Sequence, residues 1–409
     1  MLSQLKRVEL ALDELKQGKI IILVDDPERE NEGDLIIAAE KITSETMNFL
    51  IRHGSGIVCI SLSANHLNSL HIPLMVSEQN NSSARGTPFT LSVDAKEGIT
   101  TGVSAADRVK TIHTLIQNDA NPNDLVKPGH IFPLQAKEGG VFERQGHTEG
   151  SLDLVRMVGL KPAAVLCEIM NPDGTMSRGE KLREFAATHK LTMLSIDDIL
   201  TYRLHKECII EDETSSQFPL DKYGKFTISV IKEKFSNLEH VVLAKKIASS
   251  HQPPLIRIHS SCLTGDLFAS ERCDCNKQLH YSLQRISEEG GMLIYLNQEG
   301  RGIGLFNKIK AYALQEQGHD TVEANTELGL PIDSRQYYIA ASILRKKNID
   351  HVRLMTNNPN KISDLKKYGI NKVVREPMPS FRQENNQFYL ETKKIKLNHM
   401  IDMDDLINY

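Results

Sequence analysis

The stretch that most restricts this chain runs from His259 to Gln278, HSSCLTGDLFASERCDCNKQ. It carries Cys262, Cys273 and Cys275, half of the six cysteines in 409 residues. Thiolates are zinc ligands, and a catalytic zinc takes three protein ligands and keeps a fourth position open. In an extended segment Cys273 and Cys275 would point to the same side. Cys262 lies 11 residues before Cys273, far enough for the chain to turn and supply a third corner. His259 and His280 are near, but neither stands at a usual paired-ligand spacing. The other reading is a chance cluster of buried thiols, because CxC is a weaker signal than paired CxxC motifs.

A chain of this length calls for two or three domains. Hydrophobic residues make up 40%, enough for ordinary cores. The net charge of −4 gives no global basic field for nucleic acid. Aromatics at 5% with no Trp also argue against a base-stacking platform. No run of eighteen apolar residues and no signal peptide at Met1 is found, so the expectation is a soluble, cytoplasmic protein with no membrane partner. In a reducing compartment, clustered cysteines are more often metal ligands or catalytic groups than disulfides.

In the first half, Ser3 can cap a helix with Leu5, Val8, Leu12 and Leu15 at helical spacing. Ile20 to Val24 reads as a buried strand running into DDPERENEGD, Asp25 to Asp34. Open α/β sheets place ligands in loops at strand C-terminal ends. Glu30, Glu32 and Asp34 suit a hard cation, and Arg29 suits a phosphate. A solvated acidic turn is the plain alternative. KPGHIFPL, Lys127 to Leu134, sets His130 before an apolar strand, either packed or catalytic. RQGHTEGS follows at Arg144 to Ser151. Glu168, on an apolar strand from Val165 to Ile169, must be paired or have its pKa raised by burial, which suits acid/base work near neutral pH.

DDPERENEGD, FTLSVDA, GITTGVSAADR, KPGHIFPL, RQGHTE and CEIMNPDG occur here in the order found in 3,4-dihydroxy-2-butanone 4-phosphate synthases. The resemblance covers about Ile20 to Leu204. It implies conversion of ribulose 5-phosphate to dihydroxybutanone phosphate and formate with Mg²⁺ or Mn²⁺. Glu30 and His147 would ligate that metal. Arg29, Asp34 and the segment Arg144, Gln145, Gly146, His147 and Thr148 would hold the sugar phosphate, together with Glu168. His130 and Glu168 would be the essential acid/base positions. Gln145 departs from the smaller residue expected inside this motif.

The polar stretch His205 to Gln217 reads as the boundary, dividing the chain into 1–204 and 205–409. A hairpin turning at Tyr223-Gly224 follows, then short strands at Leu255 to Ile258, Met292 to Leu296 and Val352 to Met355. The loop NQEGRGIGL has GxGxG rather than GxGxxG spacing, which reads as a nucleotide-contacting turn and not a dinucleotide fingerprint. In TNNPNK, Asn358 can cap a helix that opens with Pro359 and carries Lys361 in its first turn, a natural phosphate site.

RIHSSCLTGD, ERCDCNKQL, NQEGRGIGL, DTVEAN, LPIDSRQY and TNNPNKI together resemble GTP cyclohydrolase II over about Phe218 to Tyr409. The resemblance implies Zn²⁺ on Cys262, Cys273 and Cys275. It implies GTP contacts from Arg257, Ile258, His259, Ser260 and Ser261, from Gln278, from Glu299, Gly300 and Arg301, and from Thr321, Thr356 and Lys361. Asp333 would accept a proton and Arg335 would attack the α-phosphate; Arg335 as a phosphate-stabilising cation is the alternative, because its charge is reluctant to leave. The products would be a diaminopyrimidinone ribosyl phosphate, formate and pyrophosphate. Ser261 stands where this family usually has Glu, removing a carboxylate from the presumed GTP pocket.

The expectation is thus a bifunctional riboflavin-biosynthesis enzyme, a lyase and a hydrolase, with two α/β domains, each a mixed sheet covered by helices, acting on small molecules as a homodimer. The competing expectation is an active synthase whose C-terminal half is a zinc- and nucleotide-binding regulatory module with little cyclohydrolase activity.

Overall fold

The computed structural model describes residues 3–27, 29–83, 85–236, 238–246, 252–402 and 406–408. The chain forms two compact units, Met1–Arg203 and Leu204–Tyr409. Among the described residues no helix is long and apolar enough to cross a membrane.

In the first unit, apolar runs become the strands β1 (Ile21–Val24), β2 (Gly33–Ala38), β3 (Cys59–Ser63), β4 (Val93–Ala95), β5 (Leu125–Ala136), β6 (Ala164–Glu168) and β7 (Met193–Ser195). They make one seven-stranded mixed sheet in the order β4-β5-β3-β6-β2-β1-β7. Every residue of β2 is buried, as expected of a strand covered on both faces. Ile22, Leu35, Ile37, Ile60 and Val165 centre the core, each fully buried apolar side chain adding about 1.5–3 kcal/mol. The first helix, Gln4–Lys16, is capped by the Ser3 side chain and buries Val8, Ala11 and Leu15. Two pairings place the site: β1 and β2 run antiparallel, and so do β2 and β6, with Asp34 directly opposite Glu168. Directly opposed residues share a face. His130 lies inside β5 rather than before a strand. Gly129 allows this, since a Cβ there would overlap the Val93 and Asp94 backbone.

The second unit holds β8 (Ile210–Leu220), β9 (Gly224–Glu233), β10 (Glu239–Lys245), β11 (Leu255–Ser260), β12 (Gly291–Leu296), β13 (His351–Met355) and β14 (Lys372–Glu376), in the order β14-β13-β11-β12-β10-β9-β8. From β14 to β12 the neighbours are parallel; from β12 to β8 they are antiparallel. A short pair, β15 (Phe381–Arg382) and β16 (Ile407–Asn408), lies apart. The polar stretch read as a linker is mostly ordered: it ends the helix Ile196–Lys206 and then forms most of β8. Its lack of period is that of an edge strand with most residues exposed, which has no buried face to impose alternation.

Candidate active sites

The first site gathers at one end of the β1, β2 and β6 strands. Asp25 leaves β1 and is buried; its carboxylate accepts the backbone N–H groups of Glu30 (3.0 Å) and Glu32 (2.9 Å) and pairs with Arg29 at 2.9 Å. That folds the acidic loop back on itself. His147 opens the helix His147–Met157 and lies 3.7 Å from Glu30. Asp25, Glu30 and His147 together present ligand atoms within 4.8 Å of one another.

A cavity of about 150 Å³ is lined by Arg29, Glu30, Asp34, Arg144, His147, Thr148 and Glu168, among others. Burial raises Asp34 to about 7, with Glu168, Glu30 and Glu32 adding to the rise and His147 opposing it. Burial also pushes Glu168 up. The contact with His147 holds Glu30 at about 2. Burial alone would lower His147, but Asp34 and Glu30 outweigh it and hold the imidazole at about 9. An imidazolium here balances crowded carboxylates, the place a divalent cation would take. Asp34 Oδ1 and His147 Nε2 are buried with no hydrogen-bond partner among the described residues. Both the donor set and the open atoms fit a hard metal ion.

Not every expected residue meets there. Gln145 is exposed and does not line the cavity. His130 does not line it either. Its Nδ1 lies 2.6 Å from buried Asp94, whose other oxygen accepts the His130 backbone N–H at 3.0 Å. Asp94 therefore holds the proton on Nδ1 and leaves Nε2 free.

In the second unit three loops leave the C-terminal ends of parallel neighbours β13, β11 and β12, where α/β sheets bind ligands. The β11 loop carries Cys262, the β12 loop Glu299 to Arg301, and the β13 loop Thr356 to Asn358, which leads into the helix Pro359–Lys367 with Lys361 in its first turn. Cys262 and Cys273 sulfurs are 3.8 Å apart, and all three cysteine sulfurs fall within 4.8 Å of one another. Cys275 is not in an extended segment; it begins the helix Cys275–Glu289, and the turn into that helix brings its sulfur round. Hydrogen bonds from the other two thiols, with Lys308 at 3.2 Å, pull the Cys262 pKa down. The same crowding pushes Cys273 up to about 12, and Cys275 up as well. Three sulfurs this close can all ionise only around a cation, so the triad fits a thiophilic metal.

His259 is not a fourth ligand. Burial keeps it neutral and its Nε2 donates to Asp266 at 3.0 Å. Asp266 also accepts from the Cys262 backbone and from Tyr295.

A cavity of about 810 Å³ is lined by the three cysteines together with Ser260, Ser261, Glu299, Gly300, Arg301, Thr321 and Arg335. That is within the range that encloses a nucleotide-sized ligand. Ser261 Oγ accepts from the Gln298 backbone, and Glu271 lines the same cavity. A smaller cavity of about 70 Å³ is lined by Arg257, His259, Gln278, Thr356 and Lys361. Ser260, Cys275, Arg301, Arg335 and Tyr389 line both, so the two adjoin. Ile258 contributes its carbonyl, which accepts from Lys361 at 2.8 Å. Asp333 pairs with Arg335 through two guanidinium nitrogens.

A family model for 3,4-dihydroxy-2-butanone 4-phosphate synthase matches residues 9–202, and one for GTP cyclohydrolase II matches residues 211–377. RibBA of Aquifex aeolicus is 49% identical over 96% of this chain and 97% of its own length. The chain belongs to the bifunctional riboflavin biosynthesis family. Another member, RIBA 1 of Arabidopsis thaliana, chloroplastic, is 49% identical over 95% of this chain and 72% of the relative. The two-domain 3,4-dihydroxy-2-butanone 4-phosphate synthase RibBX from A. baumannii superposes with TM-score 0.71 at 32% identity, covering 90% of this chain and 99% of that one.

Several site residues escaped the sequence reading. Asp25, Asp94 and Asp266 sit inside the quoted motifs, where a single letter does not say which aspartate organises a loop. Lys308 and Tyr389 lie outside those motifs, and no local pattern marks them.

Proposed function

We propose that the chain supplies both starting materials of riboflavin biosynthesis: residues 1–204 convert ribulose 5-phosphate to 3,4-dihydroxy-2-butanone 4-phosphate and formate, and residues 205–409 open GTP with release of formate and pyrophosphate. The observation that carries the second activity is the sulfur triad and the cationic pocket meeting at the ends of β11, β12 and β13. The first rests on a buried pair of raised carboxyls beside a three-ligand cluster.

In the first site Glu30 and His147, with Asp25 behind them, would hold Mg²⁺ or Mn²⁺. When bound, that ion polarises the sugar oxygens. Arg29 and Arg144 orient the phosphate by charge-assisted hydrogen bonds. Glu168 Oε2 accepts the Ile57 backbone N–H at 2.8 Å, leaving Oε1 to take and return a proton at carbon. Asp34, poised at about 7, can exchange a proton near physiological pH. His130 Nε2 is the remaining base, and its absence from this chain's own cavity favours a homodimer in which it serves the other copy.

In the second site Cys262, Cys273 and Cys275 would hold Zn²⁺, which when bound supplies a Lewis acid for attack on the purine ring. Arg257, Arg301 and Lys361 receive the phosphates. Arg335 is held as a charged guanidinium, its pKa raised against burial by Tyr337 and Asp333. That favours charge stabilisation at the α-phosphate over attack by the guanidine; trapping of a covalent phosphoramide would reverse the assignment. Purified protein should release formate and pyrophosphate from GTP with zinc, and formate from ribulose 5-phosphate with magnesium. Failure of either assay removes that half of the reading.

A further inference from the structure

The match to GTP cyclohydrolase II ends at residue 377, but the chain continues across the phosphate end of the site. This strap is tied along its length. Gln383 Nε2 donates to the Cys273 carbonyl at 2.9 Å. Lys393 Nζ, on the helix Gln387–Ile395, donates to Asp274 at 2.9 Å. Met400 N donates to the Asn357 carbonyl at 2.8 Å. The strap therefore joins the cysteine loop to the loop after β13, the two walls of the smaller cavity.

Ser380, Tyr389 and Lys393 all line that cavity, opposite Arg257, Arg335 and Lys361. The Lys393 side chain is 11% exposed, with its ammonium 4.3 Å from the centre of the Tyr389 ring. Ser380 Oγ, Ser260 Oγ, Arg257 Nε and Arg301 Nη1 are buried with no hydrogen-bond partner among the described residues. Buried donors are rarely left open without a ligand or water to take them. The nearby carboxylates Asp274 and Asp333 are already engaged, by Lys393 and Arg335. Burial, and then the neighbouring cations Arg257, Arg335 and Lys393, push the Lys361 pKa down, with Asp333 opposing the shift. The cavity of about 70 Å³ has room for a phosphoryl group and not for a purine.

We infer that Lys393, assisted by Ser380, binds the terminal phosphates of the nucleoside triphosphate, making the strap a determinant of triphosphate selectivity. This rests on the cyclohydrolase reading of the unit. The three cysteines line the larger cavity, where the purine must sit to be opened. The α-phosphate then falls beside Arg301 and Arg335, which line both cavities, and the outer phosphates fall between Lys361 and Lys393. Lys393 has three donors, so it can keep Asp274 and still reach an anion.

The test uses the full chain loaded with zinc and compares wild type with Lys393→Met, Lys393→Arg and Ser380→Ala. Lys393→Met should raise KM for GTP and the inhibition constant of inorganic pyrophosphate at least about tenfold, the loss of one charge-assisted contact. Inhibition by guanosine and zinc content should stay within twofold of wild type. Lys393→Arg should recover most of the loss, and Ser380→Ala should show a smaller shift of the same kind. Unchanged KM and pyrophosphate inhibition in Lys393→Met overturn the inference, as does equal weakening of guanosine and pyrophosphate, which marks a structural role. Should Lys393→Met not fold, hydrogen exchange of the wild type decides: inorganic triphosphate must slow exchange across Gln387–Ile395, and no change refutes the strap contact. A wild type that binds triphosphate there but does not open GTP removes the cyclohydrolase reading and leaves the strap contact standing.

Discussion

Gly265 is the tightest point of the sulfur triad, and adding one methyl group there tests the whole arrangement. It sits in the short helix Leu263–Asp266 and is not among the glycines with positive φ, so alanine meets no backbone strain. Alanine's helix propensity favours the change by up to about 1 kcal/mol. The cost is spatial. A Cβ at Gly265 would lie 2.8 Å from Cys273 Sγ, 3.1 Å from Cys262 Sγ and 3.0 Å from Cys275 Cβ. Restoring ordinary contact means moving the Cys273 sulfur by about 0.6 Å, beyond the roughly 0.2 Å that metal–ligand distances tolerate. Overpacking of this kind costs about 1–3 kcal/mol, or about 5- to 150-fold in zinc dissociation constant. Competition with a chromophoric chelator measures this directly, and the thiolate charge-transfer band of the cobalt-substituted protein reports whether all three sulfurs still bind. Synthase activity should be unaffected. Zinc affinity within twofold of wild type would refute the claim that these three sulfurs close on one ion against Gly265.

Three further outcomes follow from individual contacts. Asp94→Asn removes the carboxylate that fixes the His130 tautomer, so dihydroxybutanone phosphate formation should lose about 10²- to 10⁴-fold in kcat with little change in KM, and the pH–rate profile should shift; wild-type kinetics would show that His130 needs no orienting partner. Burial raises the Glu168 pKa above 4.5, so its ionised form is disfavoured by folding. Below the unfolded pKa both states are protonated and the group costs nothing; as pH rises through the folded pKa the full cost appears. In metal-free protein Glu168→Gln should therefore raise Tm at pH 8 and leave it unchanged at pH 4, and with magnesium present the same substitution should abolish synthase activity; equal Tm shifts at both pH values would contradict the burial argument. Arg203 and Asp153 form a buried pair at 2.6 Å, so Arg203→Met leaves a carboxylate unpaired and should cost about 3–5 kcal/mol, lowering the first unit's Tm by roughly 10 °C in calorimetry; a shift under 2 °C would show the pair to be dispensable.

Much of both sites was legible because their residues travel in short motifs attached to strand ends. The apolar runs at Ile21–Val24, Gly291–Leu296 and His351–Met355 announce strands, and the polar residues after them announce loops where ligands bind. Asn358 caps its helix through Asn360 N, with Pro359 following, as the local code requires. Reading failed where exposure or chain reversal erased the period. The edge strand β8 has no buried face and looked like a linker. Cys273 and Cys275 looked like two residues of an extended segment, but a helix begins at the second. Lys393 stands on a helix whose sequence carries no motif, and only its burial beside Asp274 draws attention to it.

The residue types and their local spacing, set by the sequence alone, fixed which chemistry this chain can perform: soft sulfurs for one metal, carboxylates and imidazole for another, arginines for phosphates. The tertiary structure decided which of them meet. Asp34 faces Glu168 only because β2 and β6 pair antiparallel in that register, and it is this burial, not the sequence, that lifts both carboxyls. The loops of Cys262, Arg301 and Lys361 converge only because β13, β11 and β12 lie side by side. Local sequence specifies short-range hydrogen bonds and periods, whereas strand order and desolvation are properties of contacts between residues far apart in the chain.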